Sequence, residues 1–324
     1  ATSLARGSSG CYPAALLTVM SVVVTGAAGF LGNRLAQNLA KRGAQVVLCD
    51  QIEPPVVPAG GRALVGPLEE TLGAAIASDT RAVVHLAAVV SSGAERDFDL
   101  GYRVNVDGLR GTLEACRARC AQPPKFVFAS SLAVFGATDA ADDATPTTPL
   151  NSYGAQKAIG ELLVNDYSRK GFVDGRSVRL PTISIRPGAP NAAASGFASS
   201  ILREPLAGQR AVCPMDLDTD LWLASPRSAL RSLEHALDVD GAAFGDYRCV
   251  NAPGVTVSVE EMLAALARHG GDRGLVDFVP DPAVAAIVGT WPARFDTSKA
   301  AAMGFPDACS IDAMVRSHIE DELN

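Results

Sequence analysis

A chain of 324 residues, 48% of them hydrophobic, can form one large domain with an appended lobe or two domains sharing a core. Its net charge of -7 comes without basic runs, which sets nucleic acid and anionic membrane aside and points to a small-molecule partner. The seven cysteines are scattered, odd in number and set in apolar surroundings, as thiols are in a reducing, cytoplasmic compartment. Cys116 and Cys120 lack partners at ligand spacing, so no metal is expected, and no apolar run reaches the length of a membrane span.

Met20 directly precedes the first strand-like run and reads as the natural start, which leaves residues 1–19 as a disordered leader. The stretch from Ala14 to Val24 is not a cleavable signal, because its apolar part continues into a glycine turn that cleavage would destroy. That turn lies in Val22 to Gly32, VVVTGAAGFLG, where a β-branched run feeds a G-x-x-G-x-x-G pattern and then opens a helix. Such a turn offers bare amides to a dinucleotide pyrophosphate. Gly26 allows the tight turn, Gly29 the approach of the phosphates, and Gly32 the close packing of the helix on the strand.

The helix runs from Asn33 to Arg42, with Leu35 and Leu39 at helical spacing, and stops at Gly43. The second strand, AQVVLCD, closes on Asp50, about 20 residues beyond the glycines, where a carboxylate accepts the adenosine ribose hydroxyls. Gln51, Ile52 and Glu53 follow with no Arg or Lys at hand, so a ribose 2'-phosphate is repelled and NAD is favoured over NADP. Residues 53–61 form a loop, ALVG a short strand, and Leu68 to Ala77 a helix. AVVHLAA is an apolar strand in which His85 is a packing residue, and Ser91, Ser92 and Gly93 end it. A long helix over 100–121 precedes the strand KFVFASS.

After a polar loop over 136–150, NSYGAQKAIGELLVNDYSRKG forms a helix with Ile159, Leu162, Leu163 and Tyr167 on one face. SVRLPTISIRPG is a further strand, the α/β rhythm weakens from about Pro187, and DYRCVNAP over 246–253 returns to the sheet. The alternation predicts an α/β, doubly wound parallel Rossmann sheet with a smaller mixed substrate lobe. Residues 20–181 and about 224–254 form the NAD-binding part, and about 182–223 with 255–324 the lobe. Asp50, Ala87 to Ser91, and Ser130 to Ser131 should converge at the carboxyl ends of the strands.

Tyr153 and Lys157, four residues apart, share one helix face. An ammonium and an oxidised nicotinamide both favour phenolate, so Tyr153 is expected to carry a lowered pKa and act as general base. Ser131 can hold the reacting oxygen.

From Met20 onward the chain resembles the extended short-chain dehydrogenases/reductases, through TGAAGFLG, Asp50, HLAA at 85–88, NVDG from Asn105, SSLAVFG from Ser130 and YGAQK from Tyr153. The resemblance implies a catalytic set of Ser131, Tyr153 and Lys157, with Asn105 supporting the nicotinamide side and Pro181 and Ile183 lining its pocket. Phe30, Leu31, Leu68, Ala87 and Ala88 complete the implied NAD contacts. It also implies a homodimer through the long helices that start near Gly101 and Tyr153.

Pro181 and Thr182 stand where nucleotide-sugar epimerases of that family carry an Asn, LWLASPR from Leu221 replaces their HV-x-D segment, and Phe135 makes VFG of VYG. The acidic residue often found near the adenine is missing from VGPLEE. The run RLPTISIRPGAPNAAASGFASSILREPLAG, with SPR and DTSK, is similar to the branch of the family that acts on D-erythronate, implying NAD-dependent oxidation at carbon 2. Its carboxylate calls for a cation, Arg186, Arg227 or Arg294, and its hydroxyls for Ser91, Thr182, Asn191 and Ser195. A nucleotide-sugar epimerase and a non-catalytic NAD-binding protein are the alternatives.

Overall fold

The computed structural model of the protein describes residues 20–188 and 193–323. The expected leader over 1–19 and the candidate Asn191 lie outside the described residues. The first half alternates as the sequence predicts: β1 (Ser21–Thr25), α1 (Phe30–Lys41), β2 (Gln45–Asp50), β3 (Arg62–Val65), α2 (Leu68–Ala75) and β4 (Thr80–His85). α3 (Ser91–Arg96) follows, and the long helix expected over 100–121 is α4 (Phe98–Tyr102) and α5 (Gly108–Arg119), joined by a π-helical turn over Arg103–Asp107. β5 (Lys125–Ser131), α6 (Ser152–Arg169) and β6 (Asp174–Leu180) complete the catalytic side.

Beyond Leu180 come β7 (Thr182–Ile183), α7 (Phe197–Leu206), β8 (Ala211–Cys213), β9 (Asp220–Ala224) and α8 (Pro226–Asp238). β10 (Cys249–Asn251), β11 (Val255–Ser258), α9 (Val259–Arg268), β12 (Val276–Phe278), α10 (Pro282–Val288), α11 (Ser298–Ala302) and α12 (Ile311–His318) follow.

Seven strands form one sheet in the order β10-β6-β5-β4-β1-β2-β3, and every pairing in it is parallel. The order reverses between β1 and β4, the switch point where such sheets bind ligands. The pleat sends alternate residues of β1 to opposite faces. Val22 and Val24 pack with Leu35 and Leu39 of α1 and Leu233 of α8, while Val23 joins Leu109, Leu113 and Phe126 on the other face. Ala300 and Phe305 pack on the first of these cores, so α11 sits on the large sheet although the sequence division puts it in the lobe.

The lobe has its own core, Phe197 and Ile201 of α7, Leu221 and Leu223 of β9, Met262 and Leu266 of α9, and Met314 and Val315 of α12. Its strands make a three-stranded sheet, β11-β9-β7, and a two-stranded one, β12-β8.

The apolar face of α6 is not the one turned to the sheet. Leu162 is 61% exposed, and Ile159, Leu163 and Tyr167 are only half-buried. The face turned to the sheet carries Lys157, Gly160, Glu161 and Val164 instead. Gly160 permits this: a Cβ there would meet the Phe128 ring at 2.6 Å. The polar residues lie inward because they bond the end of β5, so side-chain chemistry overrides the apolar period.

Candidate functional site

A cleft of about 650 Å³ opens at the carboxyl ends of β1, β2, β4, β5 and β6. Gly26, Gly29, Phe30, Leu31 and Gly32 form its floor, Asp50 and Leu68 one end, and Ala87, Ala88 and Ser91 one wall. The floor is built for bare backbone. Gly26 has φ +68°, and a Cβ on it would lie 2.6 Å from the Ala87 nitrogen; a Cβ on Gly32 would lie 2.2 Å from the Gly26 carbonyl oxygen. The β1–α1 turn is therefore closed to any side chain and keeps the N-terminus of α1 free for an anion. Asp50 accepts hydrogen bonds from the Ala28 and Gln51 amides at 2.8 and 2.7 Å, which aims its carboxylate at the same end of the cleft. This cradle, with an acid at the end of β2, fits a dinucleotide bearing a free ribose diol.

On the other side Ser131, Tyr153, Lys157, Pro181 and Ile183 line the cleft. Asn151 caps α6 by accepting from the Gly154 amide at 2.8 Å, which fixes the first turn where Tyr153 stands. The Ser131 hydroxyl, which accepts from the Ala133 amide at 3.2 Å, lies near enough to the Tyr153 phenol to favour its charged form, and Lys157 donates to the Ala129 carbonyl at 2.8 Å with its ammonium 4.7 Å from the Phe128 ring centre. The expected lowering of the phenol is corrected. Burial pushes Tyr153 up to about 12, against the pull of Ser131, and pushes Lys157 down to about 7, against the pull of Glu161. The cause in both is loss of water around the charged form.

Asn105 does not line the cleft. It lies 3% exposed behind the wall, bonds both the amide and the carbonyl of Val89 at 2.8 and 2.9 Å, and donates to Gln156 at 2.6 Å. It holds the loop after β4 rather than offering a contact of its own. His85 is fully buried, bonded to the Thr25 hydroxyl at 3.0 Å, and burial holds its imidazole down to about 3.

The three candidate arginines separate. Arg227 lies on α8 and pairs with Glu320 and Asp321, and Arg294 pairs with Asp220 at 2.6 Å and is 63% exposed. Both are corrected from substrate ligands to surface ion pairs, because they are satisfied by acids outside the cleft. Arg186 lines the cleft with Thr182 and Ser195, and its guanidinium has no acidic partner among the described residues. The neighbouring residues outside the described set are Ala189, Pro190, Asn191 and Ala192, none of them acidic. Burial and the nearby Arg203 push the Arg186 pKa down, the mark of a cation short of counter-charge. Ser91 lines the cleft while accepting from the Ala194 amide at 2.9 Å, so it also ties the lobe to the sheet.

Several residues were missed in sequence. Trp291, just beyond α10, closes the lobe side of the cleft, and no motif marks it. On α7, Ser199 accepts from the Arg186 amide at 3.1 Å and Arg203 donates to the Arg186 carbonyl at 2.7 Å. Glu161 and Arg179 form a fully buried ion pair under the catalytic end of β5. The i, i+4 spacing of Glu161 from Lys157 was the one available signal for it.

A glycine cradle and an acid at one end, with a serine, tyrosine and lysine at the other, define a nicotinamide-dependent enzyme that moves hydride at a hydroxyl-bearing carbon. The match to known proteins agrees: residues 22–242 match the NAD dependent epimerase/dehydratase family, and the chain belongs to that family. It is an NAD-dependent oxidoreductase. The D-erythronate dehydrogenase of Cupriavidus necator is 47% identical over 320 residues, covering 93% of this chain and 98% of that enzyme. A D-erythronate dehydrogenase of Haemophilus influenzae is 42% identical, covering 94% of this chain and all of that enzyme. A solved structure described as a nucleoside-diphosphate-sugar epimerase, from Agrobacterium tumefaciens, superposes with a TM-score of 0.84 at 40% identity and 98% coverage of both chains.

Among the described residues no helix is long and apolar enough to cross a membrane.

Proposed function

We propose that the protein oxidises the four-carbon sugar acid D-erythronate at carbon 2 to 2-oxo-D-erythronate. The observation that carries this reading is Arg186, a cation without a carboxylate partner among the described residues, in the cleft that Ser131 and Tyr153 also line. A half-buried guanidinium gains from an anion that completes it, and a carboxylate matches its planar fork. Two relatives that share more than 40% of the sequence carry the corresponding name.

Bound NAD supplies the hydride acceptor and a positive ring beside the phenol. The chain supplies the rest. Tyr153 takes the proton of the carbon-2 hydroxyl as the carbon–hydrogen bond breaks and its electron pair leaves as hydride. Ser131 fixes that oxygen by a hydrogen bond. Lys157 presents its ammonium on the same helix face, where it favours the phenolate. Asp50 receives the ribose hydroxyls, and the amides around Gly29 the pyrophosphate. Thr182, Ser195 and Ser91 are placed to bond the remaining hydroxyls, while Arg186 holds the carboxylate.

The test is formation of NADH from D-erythronate and NAD. Tyr153→Phe should abolish most turnover and leave NAD affinity nearly intact; full activity in that variant removes the base. The epimerase reading rests on the Agrobacterium tumefaciens likeness, and there the hydride returns to the substrate, so NADH would not accumulate. For assembly, the exposed Leu162 of α6 and Phe98 of α4 support pairing of two copies through these helices. A monomer mass by light scattering would refute it. Six free thiols among the described residues suit a reducing, cytoplasmic setting, and the substrate belongs to carbohydrate metabolism.

A further inference from the structure

The substrate end of the cleft has a wall that the chemistry above does not use. Trp291 lines the cleft together with Arg186 and Ser195, and it also packs on the lobe core. The chain around it is fastened residue by residue. The Trp291 amide donates to the Val288 carbonyl at 3.1 Å, closing the turn after α10, and Pro292 restricts the tryptophan backbone. The Thr256 hydroxyl of β11 donates to the Ala293 carbonyl at 2.6 Å, and Arg294 pairs with Asp220 of β9 at 2.6 Å. Phe295 lies between the Trp222 ring, 5.1 Å away, and the Phe135 ring at 5.7 Å. Ala141, in the loop that leads to α6, donates to the Arg294 carbonyl at 3.0 Å and accepts from the Asp296 amide at 2.9 Å. The strap over 291–296 is thus tied both to the lobe sheet and to the approach to the catalytic helix, so the ring it carries is a fixed wall.

The space behind that ring is enclosed on other sides as well. α10, just before it, packs against α3 and against the turn over Ala194–Gly196. Ser91 of α3 accepts from the Ala194 amide at 2.9 Å and joins those two pieces. Packing alone is a poor reason for a tryptophan here. Its indole nitrogen is shut off from water and has no acceptor among the described residues. An unpaired buried donor is a cost that a purely apolar side chain in the same place avoids.

We propose that Trp291 is a specificity-determining residue, whose ring is the wall against which the tail of the acid ends and which limits the cleft to a short-chain 2-hydroxy acid. The inference deepens the proposed function and rests on its placing of the carboxylate at Arg186 and of carbon 2 at Tyr153. Those two residues fix the head of the substrate. Carbons 3 and 4 then occupy the space that remains, and length is read by what stands behind them. A cleft of about 650 Å³ that also has to hold a dinucleotide leaves little room there. Selection is by exclusion: each further carbon has to displace a ring that the strap holds, and closely packed walls yield only at a cost. The ring supplies neither charge nor proton to the reaction.

The experiment is NADH formation from D-glycerate, D-erythronate, D-ribonate and D-allonate, acids of three to six carbons with the same Fischer configuration at carbon 2. Each is measured as kcat/KM with wild type, Trp291→Ala, Trp291→Leu and Trp291→Phe, with thermal melts to establish folding. Wild type is expected to prefer the four-carbon acid. Trp291→Ala should raise kcat/KM for D-ribonate relative to D-erythronate by about tenfold or more, the worth of one carbon in a pocket wall, with KM for NAD unchanged. Trp291→Leu keeps an apolar contact on the lobe core and should shift the ratio the same way, which keeps the test standing where the alanine variant does not fold. Trp291→Phe retains a ring in the wall and should hold the ratio within about threefold of wild type. A ratio within about threefold of wild type in the folded alanine or leucine variant overturns the proposal. So does loss of discrimination in Trp291→Phe. The substrate reading fails separately: a wild type that prefers another chain length rejects D-erythronate, and the shift on opening the wall is then read against that length. Turnover of none of the four acids by wild type overturns both.

Discussion

Replacing Arg186 by Met isolates the group on which substrate choice depends. The methionine keeps the length of the stem and removes the charge and the hydrogen-bonding fork. In the resting protein the guanidinium has no acidic partner among the described residues, and Arg203 lies close enough to disfavour its charge. Its loss therefore strands no carboxylate. Losing Arg179 strands Glu161, for which breaking a buried pair costs about 3–5 kcal/mol. Arg186→Met should thus unfold at the wild-type temperature or slightly above it, while Arg179→Met unfolds well below. Binding tells the opposite story. A hydrogen bond to a charged group contributes about 1.5–3 kcal/mol, so KM for D-erythronate should rise by about 10- to 150-fold. NAD affinity should be unchanged, because the cofactor cradle lies across the cleft. The assay is initial NADH formation over a range of D-erythronate, paired with thermal melts, and Arg227→Met and Arg294→Met serve as controls that leave KM unaltered. A KM within about twofold of wild type in Arg186→Met would refute the assignment.

Gly32→Ala should abolish NAD binding and destabilise by about 1–3 kcal/mol, since its Cβ would lie 2.2 Å from the Gly26 carbonyl oxygen. Gly73→Ala, on α2 with nothing within 4 Å of its Cβ, should stabilise by about 0.5–1 kcal/mol; equal melting of the two variants would contradict both. Asp50→Ser with Gln51→Arg should raise NADP use relative to NAD, measured as the ratio of kcat/KM, because the repelling carboxylate becomes a small hydroxyl beside a cation. His85, held down to about 3 from an ordinary 6.5, binds its proton less readily when folded than unfolded. Stability should therefore fall by about 1.4 kcal/mol per pH unit below pH 6.5, as the unfolded state takes up the proton first. Urea midpoints of His85→Leu against wild type should show a shallower decline, and identical slopes would count against it. Ser199→Ala, which frees the Arg186 amide, should raise KM with kcat nearly unchanged; a loss confined to kcat would place Ser199 elsewhere.

The cofactor half of the site was legible because its chemistry is written in contiguous residues. A β-branched run, three glycines and an acid at a fixed distance each have one geometric use, and β1, α1 and β2 follow them. Tyr153 and Lys157 were legible for the same reason, helical spacing on one face. The phenol's pKa was not, because desolvation is set by everything packed around it and not by the neighbouring ammonium alone. α6 shows where periodicity misleads. Its apolar residues Ile159, Leu162 and Leu163 are legible as one face, but the inward face is the one carrying Lys157 and Glu161, whose partners on β5 and β6 come from distant sequence. A buried charge looks like a surface charge until its partner is known.

The substrate half was illegible for a related reason. Three arginines offered the same chemistry, and what separates them is whether an acid elsewhere in the fold already satisfies each one. Arg227 meets Glu320 and Asp321, Arg294 meets Asp220 of β9, and Arg186 meets no acid among the described residues, its peptide being fixed by the Ser199 hydroxyl as acceptor and the Arg203 guanidinium as donor. Its position depends on α7, whose Ser199 and Arg203 bond the amide and carbonyl of Arg186 while Ser184 bonds back to the Ala198 carbonyl. The chemistry is thus held by the register of α6 on β5, and the substrate's charge by the grip of α7 on the strand after β6. Because these two sets of bonds share no residue, changes in the lobe can alter which acid is bound while leaving the proton-accepting face of α6 as it is.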